Sequence, residues 1–393
     1  MKRNPTVAIY SGVNVSTTFV ERLIKGLVGA NTTVYIFGAV SGKPIKHKNL
    51  HYFVYGTRWH KLLILIRYTI LLFIFKPKEK QALDLIIKAK HTNKLLWQVK
   101  YYPVLYHQPD IFHVQWAKGL DDWIWVQDFG MKLVVSLRGA HINYSPIADQ
   151  ELATLYRKIF PKVDAFHAVS EAIAIEASKY GADKKIIQVV KSGMNLDTFS
   201  FKLKAFDTKG PLKILSIGRD HWKKNYRFAL DAMYLLKQKG ALFHYNIIGV
   251  SENEMLLFQR AQLELVNDVN FIEAMPFKGV KEAIKQADVL LLPSVEEGIA
   301  NVVLEAMALG TLVVSTDCGG MAEVVIPNQT GYLVPVRDIQ AMAMALVKVS
   351  KLSIEDYQTM AKQARDFVEQ HHTEERMIGG IQALYENLTS VDV

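Results

Sequence analysis

A chain of 393 residues, half of them apolar, has room for two domains with separate cores. Its one cysteine, Cys318, excludes an intramolecular disulfide and fits a reducing compartment. The formal charge is +9, but eleven lysines and two arginines between Lys43 and Lys100 face only Glu79 and Asp84, so this stretch carries +11 and the remainder −2.

The first apolar run, residues 7–10, stops at Ser11-Gly12. That is too short for the core of a signal peptide, so a cytoplasmic protein is expected. Short apolar runs then alternate with helical patterns, the signal of repeated βα units and a mostly parallel sheet. Residues 7–10, 33–37, 110–114, 132–137 and 164–169 read as strands of a first domain, and Ser170-Glu171 as a helix start. Within the basic stretch lies an apolar run, 62–75, interrupted by Arg67. It is shorter than the roughly 18 to 20 residues a transmembrane helix needs, which leaves a buried core helix or an interfacial segment. Both stay open: a core helix ringed by solvated lysines, or a peripheral contact with an anionic membrane face. Nucleic acid ranks last as a partner, because no nucleic-acid motif accompanies the charge. Residues 187–190 lead through 192–199 into a polar, lysine-containing stretch, 200–211, read as a linker. Strands at 212–217, 245–248, 269–272, 289–292 and 312–315 build a second domain, followed by helices from Ile339 to Leu388. The expected class is α/β, with two doubly wound, Rossmann-like domains that bind ligand at the carboxyl ends of their strands.

Two segments at such strand ends carry chemistry. From Ser294 to Gly310 the chain reads SVEEGIANVVLEAMALG, a turn entering a helix at Asn301. Backbone N–H groups at Ile299, Ala300, Asn301 and Val302 and the positive end of the helix dipole favour an anion there. Gly298 removes a side chain where ligand would approach the backbone. Glu297 and Glu305 flank that point, and carboxylates beside an anion make sense only for a ligand that also brings many hydroxyl donors, such as a sugar diphosphate. Taken alone, such a glutamate pair is also a common accident of an exposed helix. The second segment, Gly218 to Asn225, places Arg219 and Lys224 five positions apart on a loop, suited to neutralising a diphosphate leaving group.

The stretch from Pro293 to Gly310 resembles, nearly residue for residue, the signature of the retaining glycosyltransferases of family 4, which have the GT-B architecture of two domains facing across a cleft. The likeness continues through Thr311–Thr316, Gly319-Gly320, Glu323 and Gly331–Val334. It implies transfer of a glycosyl unit from a nucleoside diphosphate sugar with retention of configuration. The acceptor is expected to be a carbohydrate or lipid-linked glycan of a cell-surface polysaccharide, met at the inner membrane face. The resemblance assigns Glu305 to the ribose hydroxyls, Glu297 to the donor sugar, the amides from Gly298 to Val302 to sugar and phosphates, and Gly12 to a loop that nears the diphosphate. Gly12 is equally an ordinary turn glycine. Residues 1–199 would take the acceptor, 200–211 link, 212–372 take the donor, and 373–393 form a helix returning to the first domain.

Two positions depart from the family pattern. Asn225 stands where glycine is common, and Arg138-Gly139 stands where many members carry histidine-glycine. Arg138 is therefore read as an acceptor or phosphate contact, His141 as a replacement imidazole, and His113 as an acceptor-side or core histidine. There is no Asp-x-Asp and no metal-ligand spacing, so no metal or other cofactor is expected. A soluble sugar or sugar-phosphate glycosyltransferase and a nucleotide-sugar epimerase of the same architecture are the alternative functions.

Overall fold

The computed structural model describes residues 5–14 and 17–389 and divides into two compact units. The first holds the chain up to Val169, Ala174–Val190 and the chain from Glu374; the second holds Ser170–Ile173 and Lys191–Thr373.

The first unit is built on a seven-stranded parallel sheet of β1 (Thr6–Val13), β2 (Thr33–Ala39), β3 (Leu50–Tyr55), β4 (Ile111–Val114), β5 (Lys132–Leu137), β6 (Ala165–Ala168) and β7 (Ile187–Val189). Its order is β3-β2-β1-β4-β5-β6-β7, so the winding reverses between β1 and β4. The second unit has β8 (Leu212–Ile217), β9 (Phe243–Ile248), β10 (Val269–Ile272), β11 (Val289–Leu292), β12 (Leu312–Thr316) and β13 (Tyr332–Val334), also parallel. Its order is β10-β9-β8-β11-β12-β13, reversing between β8 and β11. Central strands such as β4 and β11 are buried throughout, as parallel strands covered on both faces must be. β3 and β13, which the sequence reading does not name as strands, are edge strands: one is half-exposed and the other spans three residues, so neither shows a long buried run.

One device recurs at the entry edge of both sheets. Asp110, Asp164 and Asp288 each precede a strand and accept the backbone N–H of the neighbouring strand's first residues: Thr6 at 2.7 Å, Leu133 at 2.7 Å and Lys213 at 2.8 Å. Each carboxylate thereby satisfies an amide that the ladder leaves over and fixes the register.

The stretch 200–211 is not a free linker, and the first unit ends near Val190 rather than at 199. Met194, Phe199 and Phe206 are buried in the second unit's cores. Lys204 Nζ donates to the Ile284 carbonyl (3.1 Å) and to Thr311 Oγ1 (2.5 Å), while Arg365 donates to the Phe199 carbonyl at 2.7 Å. The lysine that makes this stretch look solvated is in fact turned inward onto backbone oxygens. The final helix, Glu374–Thr389, packs within the first unit through Met377, Ile378, Ile381, Leu384 and Tyr385. Its approach to the Thr18–Gly29 helix needs Gly26, where a Cβ would stand 2.3 Å from Ile378 Cδ1.

The apolar run lies in the helix Arg58–Phe75, and of the two open readings the buried core helix does not hold: only Tyr68 and Leu72 are buried, whereas Trp59 is 76% and Phe73 72% exposed. It is held by Thr57, which accepts the His60 amide at 3.3 Å, and by Tyr68, whose hydroxyl lies 2.9 Å from His107 Nε2.

A buried polar chain crosses the first sheet. Tyr385 Oη lies 2.7 Å from His113 Nδ1, His113 Nε2 lies 2.8 Å from Ser136 Oγ, Ser136 Oγ lies 2.9 Å from His167 Nδ1, and His167 Nε2 donates to the Val190 carbonyl at 3.0 Å. Burial, with His167 and Arg138 nearby, pushes His113 well below the ordinary imidazole value, and burial pushes His167 down to about 3. Both are therefore neutral in the fold. Below about pH 6.5 the unfolded chain takes up protons that the fold refuses, so stability present at neutral pH is lost as pH falls toward the folded values. Acidification from pH 7 to 5 should remove about 2 kcal/mol per histidine from the first unit. Five of the six tryptophans, Trp59, Trp97, Trp116, Trp123 and Trp125, belong to that unit, so urea unfolding followed by tryptophan fluorescence reads it out. An unchanged midpoint between the two pH values would show that the histidines are not held neutral.

Candidate functional site

In the second unit the candidate residues gather at the carboxyl ends of β8 and β11, the two strands that flank the reversal of winding. That is where an open α/β sheet leaves a crevice. After β8, Trp222–Lys224 forms a short 3-10 turn that ends at Asn225. The Val295 amide donates to the Lys223 carbonyl at 2.8 Å, and Asn225 Nδ2 donates to the Pro293 carbonyl at 3.1 Å. These bonds join the two strand-end loops. Asn225 has φ +57, which explains the departure from glycine: asparagine tolerates the left-handed region and adds a side-chain bond that glycine lacks.

This stitching brings Lys224 Nζ to 2.7 Å from Glu297 Oε1 and Lys223 Nζ to 3.4 Å from Oε2. Ser294 Oγ donates to Glu297 Oε1 at 3.1 Å. Glu297 is buried, and burial by itself works to raise its pKa; the charges of Lys224 and Lys223 outweigh that and hold it below the usual carboxylate range. Glu297 is thus a fixed carboxylate at neutral pH, an acceptor of hydroxyl hydrogen bonds and not a proton donor. Of the two lysines, Lys224 is the closer partner, while Lys223 shares the same carboxylate. Arg219 is exposed on the same loop.

The turn from Gly298 to Ala300 opens into the helix Asn301–Leu309, whose N-cap, Ala300, has no side chain to satisfy the first amides. The N–H groups of the first turn therefore remain suited to an anion. Glu305 stands one turn further in, half-buried. The turn is shaped by glycines on other segments. A Cβ on Gly319 would lie 1.7 Å from the Glu297 carbonyl oxygen, and one on Gly320 would lie 2.7 Å from that of Gly298. Gly320 N also donates to the Gly298 carbonyl at 2.8 Å. Gly218 admits Lys224, whose Cε would sit 2.7 Å from a Cβ placed there. The glycines of the motif thus serve the backbone position of Glu297 and the path of Lys224.

In the first unit the equivalent reversal lies between β1 and β4. Gly12, at the end of β1, has φ +85 and open space where a side chain would be. Arg138, just past β5, donates from Nη2 to Gln115 Oε1 (2.9 Å) and to Ser136 Oγ (3.3 Å), and its guanidinium covers the Phe19 ring at 3.5 Å. Burial lowers it to about 9, so it stays charged at neutral pH. Arg138 Nε, Gln115 Nε2 and His141 Nδ1 are enclosed without a hydrogen-bond partner among the described residues. His141 packs near Trp116, with ring centroids 5.6 Å apart, and Trp116 also lies under the Arg138 guanidinium at 5.9 Å. Arg138, His141, Gln115 and Trp116 therefore form one cluster. His113 does not join it on an open surface: it is fully buried, with both ring nitrogens taken by Tyr385 and Ser136, and is a core histidine. Ser136, His167 and Tyr385 escape sequence reading because their partnership spans three strands and the last helix. Among the described residues no group of three or more His, Cys, Asp or Glu is placed to hold a metal ion.

Residues 199–367 match the family model for glycosyl transferases group 1. The Escherichia coli K12 protein named as a colanic acid biosynthesis glycosyltransferase, WcaL, is 35% identical over 224 residues, 54% of this chain and 54% of its own length. The Erwinia amylovora amylovoran biosynthesis glycosyltransferase AmsK is 31% identical over 227 residues, 56% of this chain and 55% of its own. The chain spans about half the length of the curated relatives it matches. Among solved structures, a glycosyltransferase from Rickettsia africae aligns over 98% of this chain and 99% of its own with a TM-score of 0.71 at 17% identity. Anabaena HepE in complex with UDP-glucose aligns over 98% and 100% with a TM-score of 0.70 at 13% identity. At these identities the likeness is one of fold, two Rossmann-like domains with parallel sheets.

The glycine contacts generate a contrast. Gly319→Ala drives a Cβ into backbone in a left-handed position and should cost about 2 to 4 kcal/mol. Gly218→Ala meets the far end of a flexible lysine and the Tyr226 hydroxyl and should cost about 1 kcal/mol. Thermal unfolding of the two variants checks this; equal midpoints would show that the Glu297 turn is not braced by Gly319.

Proposed function

We propose that this chain transfers a glycosyl unit from a nucleoside diphosphate sugar to an acceptor hydroxyl, with retention of anomeric configuration, as a GT-B enzyme of the retaining family 4 type. The observation that carries the reading is the buried Glu297 carboxylate held by Lys224 and Lys223 beside the uncapped first turn of the Asn301–Leu309 helix. The match of residues 199–367 to glycosyl transferases group 1 and the relatives named for colanic acid and amylovoran biosynthesis support it.

In this reading the diphosphate rests on the amides from Ile299 to Val302, Glu305 accepts from the ribose hydroxyls, and Glu297 accepts from hydroxyls of the donor sugar. Gly12 keeps the part the resemblance gives it, a turn glycine at the end of β1 with open space where a side chain would be. As the bond from the anomeric carbon to the phosphate oxygen breaks, negative charge grows on the leaving diphosphate, and Lys224, Arg219 and the helix amides stabilise it. The acceptor oxygen forms its bond on the same face, and its proton passes to the departing phosphate oxygen. Glu297 positions the sugar and steadies positive charge at the anomeric centre; its lysine partners keep it from acting as an acid. Lysine, arginine and helix amides supply the charge compensation that a divalent ion would otherwise provide, so no metal is required. Arg138 and His141 would meet the acceptor, a lipid-linked glycan in polysaccharide assembly at the cytoplasmic face of a membrane. The Arg138 guanidinium, whose Nε has no hydrogen-bond partner among the described residues, suits an anionic or hydroxyl-rich group there.

Incubation with a panel of nucleoside diphosphate sugars should release free nucleoside diphosphate from one donor by slow hydrolysis, unchanged by EDTA. Glu297→Gln should lower turnover by about 100-fold or more while leaving nucleotide affinity within a few-fold. Isomerised sugar nucleotide without release would instead indicate an epimerase, and near wild-type turnover in Glu297→Gln would remove that residue from the reaction.

A further inference from the structure

The helix Arg58–Phe75 is apolar on nearly every side yet buries only Tyr68 and Leu72. A helix of that composition is normally enclosed. Here Trp59, Leu63, Ile66, Ile70, Phe73 and Ile74 are all exposed. Their spacing of four, three, four and three residues, with Ile74 beside Phe73, lays them on one face opposite Tyr68 and Leu72. At 1.5 Å per residue the stripe runs for about 21 Å. Helical projection places Arg67 along one flank and Arg58 along the other, and both are exposed. An apolar strip of this extent rimmed by cations marks an interaction surface.

We infer that this helix docks the protein on an anionic lipid surface, lying in the plane of the interface with its stripe among the acyl chains. Charge selects the occupant. The region from Lys43 to Lys100 carries thirteen basic residues against two acidic ones, so a second copy of the chain would set like charge against like, whereas anionic headgroups complement it. Nucleic acid offers the charge but no partner for a stripe of leucine, isoleucine and phenylalanine. Spanning is excluded for this helix: no helix among the described residues is long and apolar enough to cross a membrane. Arginines on the flanks extend their stems and keep their heads in the headgroup layer, and Trp59 at one end is the residue type that settles at that depth. The inference deepens the lipid-linked acceptor of the proposed function by naming the surface that would bring the chain to it, but it stands on this helix and not on the donor site.

Sedimentation of the full chain with vesicles tests it. Wild type should pellet with phosphatidylglycerol-containing vesicles and stay in the supernatant with pure phosphatidylcholine, and binding should weaken with salt. Leu63→Gln, Ile70→Gln and Phe73→Gln together change only exposed side chains, so the fold and the rate of nucleoside diphosphate release in solution should be unchanged while vesicle partitioning falls at least tenfold. Equal recovery in the supernatant with both lipids would overturn the inference. So would vesicle binding by the triple variant like wild type, or a wild-type dimer that the variant converts to monomer without lipid binding. Loss of donor hydrolysis with vesicle binding intact would count against the donor site alone.

Discussion

The buried contact of Glu297 with Lys224 and Lys223 is the interaction on which the second unit's site depends. Removing a carboxylate from water is unfavourable unless cations and hydrogen bonds replace the solvent, and here two lysines and Ser294 do so. Because both lysines come from the loop after β8 and the glutamate from the loop after β11, the contact also ties together the two strand ends at the reversal of winding. Asn225 and the Val295 amide make that join on the backbone, so the charges are placed by the fold and not by flexible side chains alone.

The same logic shapes the first unit with different chemistry. Its sheet reverses beside β1 and β4, and the residues just past β4 and β5 converge there, with Arg138 stacked on Phe19 and bonded to Gln115. Where the second unit balances charge with charge, the first holds Arg138 by hydrogen bonds to neutral groups, Gln115 and Ser136, among the described residues. Beneath it, the Tyr385–His113–Ser136–His167 chain keeps the sheet interior satisfied and uncharged.

Much of the arrangement around Glu297 was legible in the sequence because it is local. The segment from Ser294 to Gly310 encodes a strand end, an uncapped helix start and both Glu297 and Glu305 within seventeen residues, and the central strands announce themselves as buried runs. What was not legible depends on distance or on edges. β3 and β13 lie at sheet margins, where half-exposure or brevity erases the pattern. The stretch 200–211 looked like a linker because lysines usually face water, whereas Lys204 finds its acceptors some eighty and more residues away. His113 could not be sorted between core and surface until Tyr385, 272 residues later, was brought to it. The run 62–75 had two readings of equal standing, and exposure excluded the buried one.

A crystal structure with a nucleoside diphosphate bound tests the central claim most directly. The phosphates should lie on the amides from Ile299 to Val302 with Lys224 turned toward them, and the ribose hydroxyls should reach Glu305. Phosphates bound elsewhere, with the first turn of the Asn301–Leu309 helix left to solvent, would contradict it.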